Sequence, residues 1–183
     1  MNQMKEIKVE KVTLNIGAGK DQKVLEKGVK LLKNLTGIEP VKTITNKRIQ
    51  GWGLRPGLPI GCKITLRKEE AEKLIARLVF AKDNVLQEDY FDDNGNISFG
   101  IPEYVDIKDA KYDTEIGMAG LQTSITLTRP GFRIKNRKIR PAKVPIKHKI
   151  SKEEAMEFMK QKFSIKIGEE EWLHPIIKKH YLK

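Results

Sequence analysis

The side chains that could do chemistry in this chain are mostly cations, and they are concentrated in two segments. Seven lysines and arginines and no acidic residue lie between Val41 and Lys68, and ten with no acidic residue lie between Arg129 and Lys152. These segments hold 17 of the 36 basic residues, whereas the rest of the chain has 19 basic and 24 acidic residues. Because solubility alone does not require such segregation, the pattern indicates a surface that binds a polyanion. A basic surface kept only for solubility is the alternative.

Catalytic and metal-binding patterns are missing from the sequence. The histidines, His148, His174 and His180, are not spaced as metal ligands with the single cysteine, Cys62, and no nucleophile has a plausible base nearby. We therefore predict a binding protein, not an enzyme, with no cofactor and no metal. One cysteine excludes an intrachain disulfide and is typical of a cytosolic protein. We also expect no signal peptide and no membrane partner, since no apolar run approaches the necessary length.

Two short motifs resemble ligand-binding loops, one for a nucleotide and one for calcium. Gly17-Ala18-Gly19-Lys20 follows a predicted strand, as a nucleotide-binding turn would, but Gln22 stands where the dinucleotide fingerprint needs a third glycine. A tight turn is the favoured interpretation, and a nucleotide-dependent enzyme is the alternative. The segment 92–96 resembles a calcium loop, but it lacks the alternating oxygen ligands and the closing glutamate of an EF-hand. A turn into a strand is favoured there.

Three segments alternate between apolar and polar residues, the pattern of a half-buried strand. They are 9–16, 62–67 and 121–128, and 97–101 is a further predicted strand. In each alternating segment one face is mainly aliphatic, and the other carries Asn, Thr, Ser, Gln, Lys or Arg. The sequence thus predicts an antiparallel sheet with one buried and one polar face. An open polar face beside basic segments suits RNA, whereas a merely solvated face is the alternative.

Helical periodicity predicts the elements that cover the buried face. Asp21 to Thr36 has apolar residues at helical spacing, Val24 among them, and Gly37 stands at a good C-cap position. Glu69 to Lys82 repeats the pattern, and Ser151 to Glu154 has the capping-box spacing of a third helix that ends at Phe163. The segment 164–167 is expected to add an edge strand. The predicted fold class is α+β, with helices packed on one sheet face, an open polar face, and a basic loop and arm.

The two basic segments differ in kind. The first is a loop, stiffened by glycine and proline, that leads into the strand beginning at Cys62; we define the basic loop as Thr43 to Leu58. The second, Arg129 to Lys149, is interrupted by three prolines and is too charged for a core, so we expect an extended arm or a long hairpin. We call it the basic arm.

The ordered set of motifs resembles one known family. The motifs that resemble those of the family are K-V-T-L-N-I-G-A-G from Lys11, L-T-G-I-E-P from Leu35, L-R-P-G-L-P-I-G-C-K-I-T-L-R from Leu54, F-D-D-N-G-N-I-S-F-G-I from Phe91, and Y-D-T-E-I-G-M-A-G from Tyr112, which runs on to L-T-R-P-G-F-R. Together they resemble the universal 5S rRNA-binding proteins of the large ribosomal subunit, ribosomal protein L-five, in the archaeal or eukaryotic form. The resemblance covers roughly Val9 to Ile167.

The resemblance implies a structural, cytoplasmic ribosomal protein of the central protuberance. Expected partners are 5S rRNA, 23S-type large-subunit rRNA, P-site tRNA, neighbouring central-protuberance proteins, and the thirteenth protein of the small-subunit head, to which such proteins form a bridge. The implied rRNA-binding residues are Asn15, Gly17, Gly19, Lys63, Thr65 and Arg67. The implied tRNA-contacting residues are Lys47, Arg48, Gln50, Trp52 and Arg55. The arm residues expected to meet RNA are Arg129, Arg133, Lys135, Arg137, Lys138 and Arg140.

The chain also departs from the family pattern. Thr45 and Asn46 stand where members often have further basic residues, and Pro56 replaces a residue that is commonly charged. These departures bear on the strength of the tRNA contact. A general structured-RNA binder or an RNA chaperone outside the ribosome is the alternative function. We expect a single domain over residues 1–168 and a C-terminal tail of unknown role over 169–183.

Overall fold

A five-stranded antiparallel sheet forms the centre of the molecule. The computed structural model describes residues 2–168. The sheet contains β1 (Lys8–Gly17), β2 (Val41–Ile44), β3 (Pro59–Leu66), β5 (Asn96–Ile101) and β6 (Leu121–Thr128), in the order β2-β3-β1-β6-β5. A second sheet pairs β4 (Val85–Leu86) with β7 (Lys166–Ile167) in parallel. The predicted α+β class and antiparallel sheet are confirmed.

Each predicted alternation sorts its residues between two faces as expected. In β1 the inward residues are Val12, Leu14 and Ile16, and in β6 every second residue from Leu121 to Leu127 is buried. The inward residues of β3, β5 and β6 join the same core. Pairing adjacent strands in this phase places all their apolar side chains on one side, because side chains of a strand alternate with period two.

Two helices cover that apolar side. Helix α1 (Gln22–Thr36) contacts β1 and β3, and α2 (Lys68–Phe80) contacts β1. Helix α1 approaches the sheet closely at Gly28, where a Cβ atom would lie 3.1 Å from Sγ of Cys62. Asp21 caps its N-terminus, and Gly37, the predicted C-cap, ends it in the left-handed conformation. One detail was wrong: Val24, in the first turn of the helix, is 42% exposed.

The C-terminal part packs around a third helix. Helix α3 (Lys152–Phe163) begins with the predicted capping box between Ser151 and Glu154, and it buries Ala155 and Met159. The predicted edge strand at 164–167 shortens to β7, because Ser164 turns into the left-handed conformation and only two residues find a partner in β4. Within residues 2–168 no helix is both long and apolar enough to cross a bilayer. His174 and His180 lie outside the described residues.

Candidate nucleic-acid interface

The outward side of the sheet carries its polar side chains in rows that run across the strands. One row contains hydroxyls only: Thr65 of β3 is paired with Thr13 of β1, which is paired with Ser124 of β6, which is paired with Ser98 of β5. The Oγ1 atoms of Thr13 and Thr65 lie 3.4 Å apart, and the Oγ atoms of Ser98 and Ser124 lie 3.1 Å apart. Antiparallel pairing thus joins residues that are up to 111 positions apart in the chain into one line of donors and acceptors.

The next row presents a lysine and two amides. Lys63, Asn15 and Gln122 are neighbours on β3, β1 and β6, and the side-chain Nδ2 of Asn15 donates to Oε1 of Gln122 over 3.1 Å. This bond uses the NH₂ group of Asn15 and the carbonyl oxygen of Gln122. The carbonyl oxygen of Asn15 and the NH₂ group of Gln122 remain for a ligand. On the opposite side of the hydroxyl row lies a third row, made of Lys11, Thr126 and Asn96. We call the surface formed by these three rows the polar face. None of the rows contains Asp or Glu.

At one end of the polar face the side chains give way to glycine. Gly17 of β1 is paired with Gly61 of β3. A Cβ atom on Gly61 would lie 2.7 Å from the carbonyl oxygen of Ile16, so only glycine fits there. A shallow depression of about 510 Å³ opens beside Gly17, and Asn15, Gly100 and Gly120 also line it. Backbone is therefore exposed next to the amide row, where a ligand can approach closely.

The basic loop is an ordered hairpin. Ile49 and Leu54 form a bridge, Leu54 is buried, and the N–H of Gly57 donates to the carbonyl of Thr45 over 2.9 Å. Its tip is a short 3-10 helix, Gln50–Trp52, in which Trp52 is 70% exposed. The other predicted loop residues, Lys47, Arg48, Gln50 and Arg55, are all exposed as well. Thr45, in contrast, is buried, and its hydroxyl binds the backbone of residue 47.

The basic arm is more compact than the extended segment or long hairpin that we predicted. Two 3-10 helices, Phe132–Lys135 and Ile146–His148, interrupt it. Phe132 is buried, and its ring meets that of His148 edge-on at 5.7 Å between centroids. The correction follows from these apolar and aromatic side chains, which anchor the arm to the body although most of its residues are charged.

Arg129 was predicted to contact RNA. In the structure, however, its side chain is buried inside the protein. It is only 5% exposed, and its Nη2 atom lies 2.7 Å from Oε1 of Glu154. The physical reason is strand periodicity: Arg129 continues the inward series of β6 that ends at Leu127. The remaining predicted arm residues, Arg133, Lys135, Arg137, Lys138 and Arg140, are exposed.

Both basic segments adjoin the polar face, at opposite ends of β1. The basic loop enters β3 at Pro59, beside the glycine pair at the Gly17 end. The basic arm leaves β6 after Thr128, whose partner is Lys8 at the other end of β1. Antiparallel pairing therefore places the polar face between two cationic segments. This arrangement suits a long polyanion.

The other predicted residues fall around this face. Asn15, Lys63 and Thr65 lie on it, Gly17 lies at its end, and Gly19 sits in the following turn, where its N–H donates to the carbonyl of Ile60. Arg67 follows β3 and lies 3.7 Å from Glu10. Sequence reasoning did not select five face residues, although the alternation it used contains them: Lys11, Thr13, Gln122, Ser124 and Thr126.

Comparison with known proteins decides the family. A family model described as "Ribosomal protein L5" matches residues 2–55, and a second model, which describes the C-terminus of the same ribosomal family, matches residues 59–158. This chain belongs to the ribosomal protein L5 family. Large ribosomal subunit protein uL5 of Sulfurisphaera tokodaii is 45% identical over 170 residues, which cover 92% of this chain and 96% of the relative. Its namesake in Nanoarchaeum equitans is 45% identical over 165 residues, with 90% and 97% covered.

Membership of the L5 family confirms the predicted resemblance, including its archaeal character. It also confirms a ribosomal protein of the large subunit rather than an enzyme, and with it the predicted place in the cytoplasmic ribosome. The two L5 models meet between residues 55 and 59, within the basic loop and the start of β3. The five-stranded sheet takes strands from both matched segments. Among residues 2–168, no three His, Cys, Asp or Glu side chains are grouped as metal ligands.

Proposed function

We propose that this protein binds 5S rRNA through the polar face and so helps to build the central protuberance of the large ribosomal subunit. The observation that carries the proposal is the set of three rows on the polar face, which offer hydroxyls, amides and lysines without one carboxylate. Hydroxyls and amides can bond ribose hydroxyls, phosphates and base edges in the wide, shallow minor groove of folded RNA. The lysines add attraction to phosphate that does not depend on sequence.

The flanking segments extend the proposal. The basic loop contacts the elbow of the P-site tRNA through Trp52 and its neighbouring cations. An exposed indole on an ordered hairpin tip supports this role, because an aromatic ring can stack on an RNA base or ribose. The basic arm contacts large-subunit rRNA with its exposed residues. The bridge to the thirteenth protein of the small-subunit head, and contacts with neighbouring proteins of the central protuberance, rest on the family resemblance alone.

The test is a binding titration of the purified protein against 5S rRNA and a second structured RNA of equal length. Both are measured at low and at near-physiological salt. A preference for 5S rRNA that survives the higher salt is expected, because shape-specific hydrogen bonds are screened less than long-range attraction. Equal binding that vanishes for both RNAs as salt rises would instead indicate a general RNA binder or chaperone.

A pair of double variants then locates the site. Asn15→Ala with Thr65→Ala removes one amide and one hydroxyl from the polar face and should weaken 5S rRNA binding about tenfold. Asn34→Ala with Thr114→Ala removes the same groups from exposed positions away from the sheet and should leave affinity unchanged. Equal affinities of the two double variants would refute the site assignment, provided both retain the native thermal unfolding temperature.

A further inference from the structure

A cavity of about 480 Å³ lies between the basic arm and the last row of the polar face. The sheet contributes Asn96 and Thr126, which are cross-strand partners, and the arm contributes Lys135, Lys143 and Lys149. The volume lies within the roughly 300–1,000 Å³ that is typical of small-molecule sites. The cavity is therefore large enough for a group the size of one nucleotide.

The charge of this cavity is uncompensated. No acidic residue lines it, and none of its three lysines forms an ion pair within residues 2–168. Lys143 makes no hydrogen bond in that range either, so its ammonium group is available to an anion. Asp92 does not line the cavity, and its carboxylate accepts hydrogen bonds from Asn94 and Asn96 over 3.3 and 3.2 Å.

Several cavity groups are held in place before any ligand arrives. Nζ of Lys149 donates to Oδ1 of Asn94 over 3.1 Å, and Nζ of Lys135 lies 5.0 Å from the centroid of the Phe132 ring. Apolar atoms provide the rest of the lining, from Leu127, Phe132, Val144 and Ile146. A cavity with both apolar walls and fixed amide groups suits a flat heterocycle, and its free ammonium suits the attached phosphate.

We infer that this cavity receives one unpaired nucleotide, turned out from the RNA that lies on the polar face. The inference rests on the proposed function, because Asn96 and Thr126 belong both to the third row of the face and to the cavity wall. RNA that crosses that row passes the mouth of the cavity. The base contacts the apolar lining and the amides, and Lys143 binds its phosphate.

Two matched variants test this inference. Lys143→Met and Lys138→Met each remove one cation from an exposed position of the basic arm, but only the first alters the cavity. Each is titrated with 5S rRNA and with a fully paired RNA duplex of equal length. We expect Lys143→Met to weaken 5S rRNA binding about tenfold more than Lys138→Met does, because it removes a charge-assisted hydrogen bond. On the duplex, which has no nucleotide to turn out, both variants should have equal effects.

Equal effects of the two variants on both RNAs would overturn the inference, because the lysines would then act only as general counter-charges. Failure of the proposed function has a different signature, namely that the unaltered protein binds 5S rRNA no better than the matched structured RNA. The cavity is tested independently of that result by photocrosslinking an RNA hairpin whose loop contains 4-thiouridine. Crosslinks to cavity residues support the inference, and crosslinks confined to other surfaces refute it.

Discussion

Arg129 and Glu154 connect the two ends of the basic arm. Nη2 of Arg129, at the end of β6, lies 2.7 Å from Oε1 of Glu154 in α3, while its Nη1 donates to the carbonyl of Lys149 over 3.0 Å. The same glutamate accepts the backbone N–H of Ser151 with its other oxygen. One buried cation thus joins the strand before the arm, the residue at the end of the arm, and the helix after it. Arg129, although it belongs to the basic arm, therefore stabilises the fold.

Replacing Arg129 should lower stability without a direct loss of RNA contacts. Arg129→Met should reduce the free energy of unfolding by about 1–3 kcal/mol, because two hydrogen bonds to a buried charge are lost, while the half-exposed Glu154 can still be hydrated. Urea denaturation measures the change. Arg133→Met, an exposed position four residues later, should stay within about 0.5 kcal/mol of the unaltered protein. A similar loss in both variants would contradict the structural role.

The Arg129–Glu154 pair should also make stability depend on pH. Burial raises the pKa of Glu154, but hydrogen bonds from Arg129 and Ser151 outweigh it and hold the pKa below the usual value for a glutamate. A depressed folded-state pKa stabilises the fold above the unfolded-state pKa, and this contribution is lost as pH falls through the folded-state value. The unaltered protein should therefore be more stable than Glu154→Gln near neutral pH. This difference in the free energy of unfolding should shrink in acid.

Urea denaturation of both proteins between about pH 7 and pH 3 measures this difference. Glutamine can still serve the capping box, so the comparison isolates the charge of Glu154. The pKa of Asp92 is also lowered, by hydrogen bonds from Asn96 and Asn94, but that carboxyl is common to both proteins and cancels. A difference that stays constant across the range would show that the charge pair contributes nothing.

The glycine end of the polar face should tolerate no side chain at Gly61. Gly61→Ala would place Cβ 2.7 Å from the carbonyl oxygen of Ile16, so we expect a loss of about 1–3 kcal/mol in stability. Gly100→Ala is the matched control, because Gly100 also lies on the outward side of a strand but has open space around its Cβ position. It should be neutral or gain up to about 1 kcal/mol. Thermal unfolding of both variants decides the comparison.

The tip of the basic loop should contribute to tRNA contact but not to 5S rRNA binding. Deletion of residues 50–57, or the smaller change Trp52→Ala, should leave 5S rRNA affinity unchanged, since the loop lies beyond the rows of the polar face. Ribosomes that carry either variant should bind P-site tRNA more weakly. Trp52→Phe should retain part of this binding, since it keeps an aromatic ring. Loss of 5S rRNA affinity in Trp52→Ala would contradict the division of roles.

The sequence by itself determined the buried and polar sides of the strands and most helix boundaries. Alternation with period two is a local property, and so are the caps at Asp21, Gly37 and Ser151, because each depends on residues only a few positions apart. The inward position of Arg129 was also within reach, since it continues the phase of β6. Its charge outweighed its position in our prediction.

Only the tertiary structure decided which polar residues become neighbours. Thr65, Thr13, Ser124 and Ser98 form one row because four strands pair in one register, and the strand order β2-β3-β1-β6-β5 does not follow the chain. The compact basic arm and its cavity depend likewise on contacts across the fold, such as that between Phe132 and His148. Periodicity carries no information about distant partners, because register depends on the packing of whole strands against a shared core.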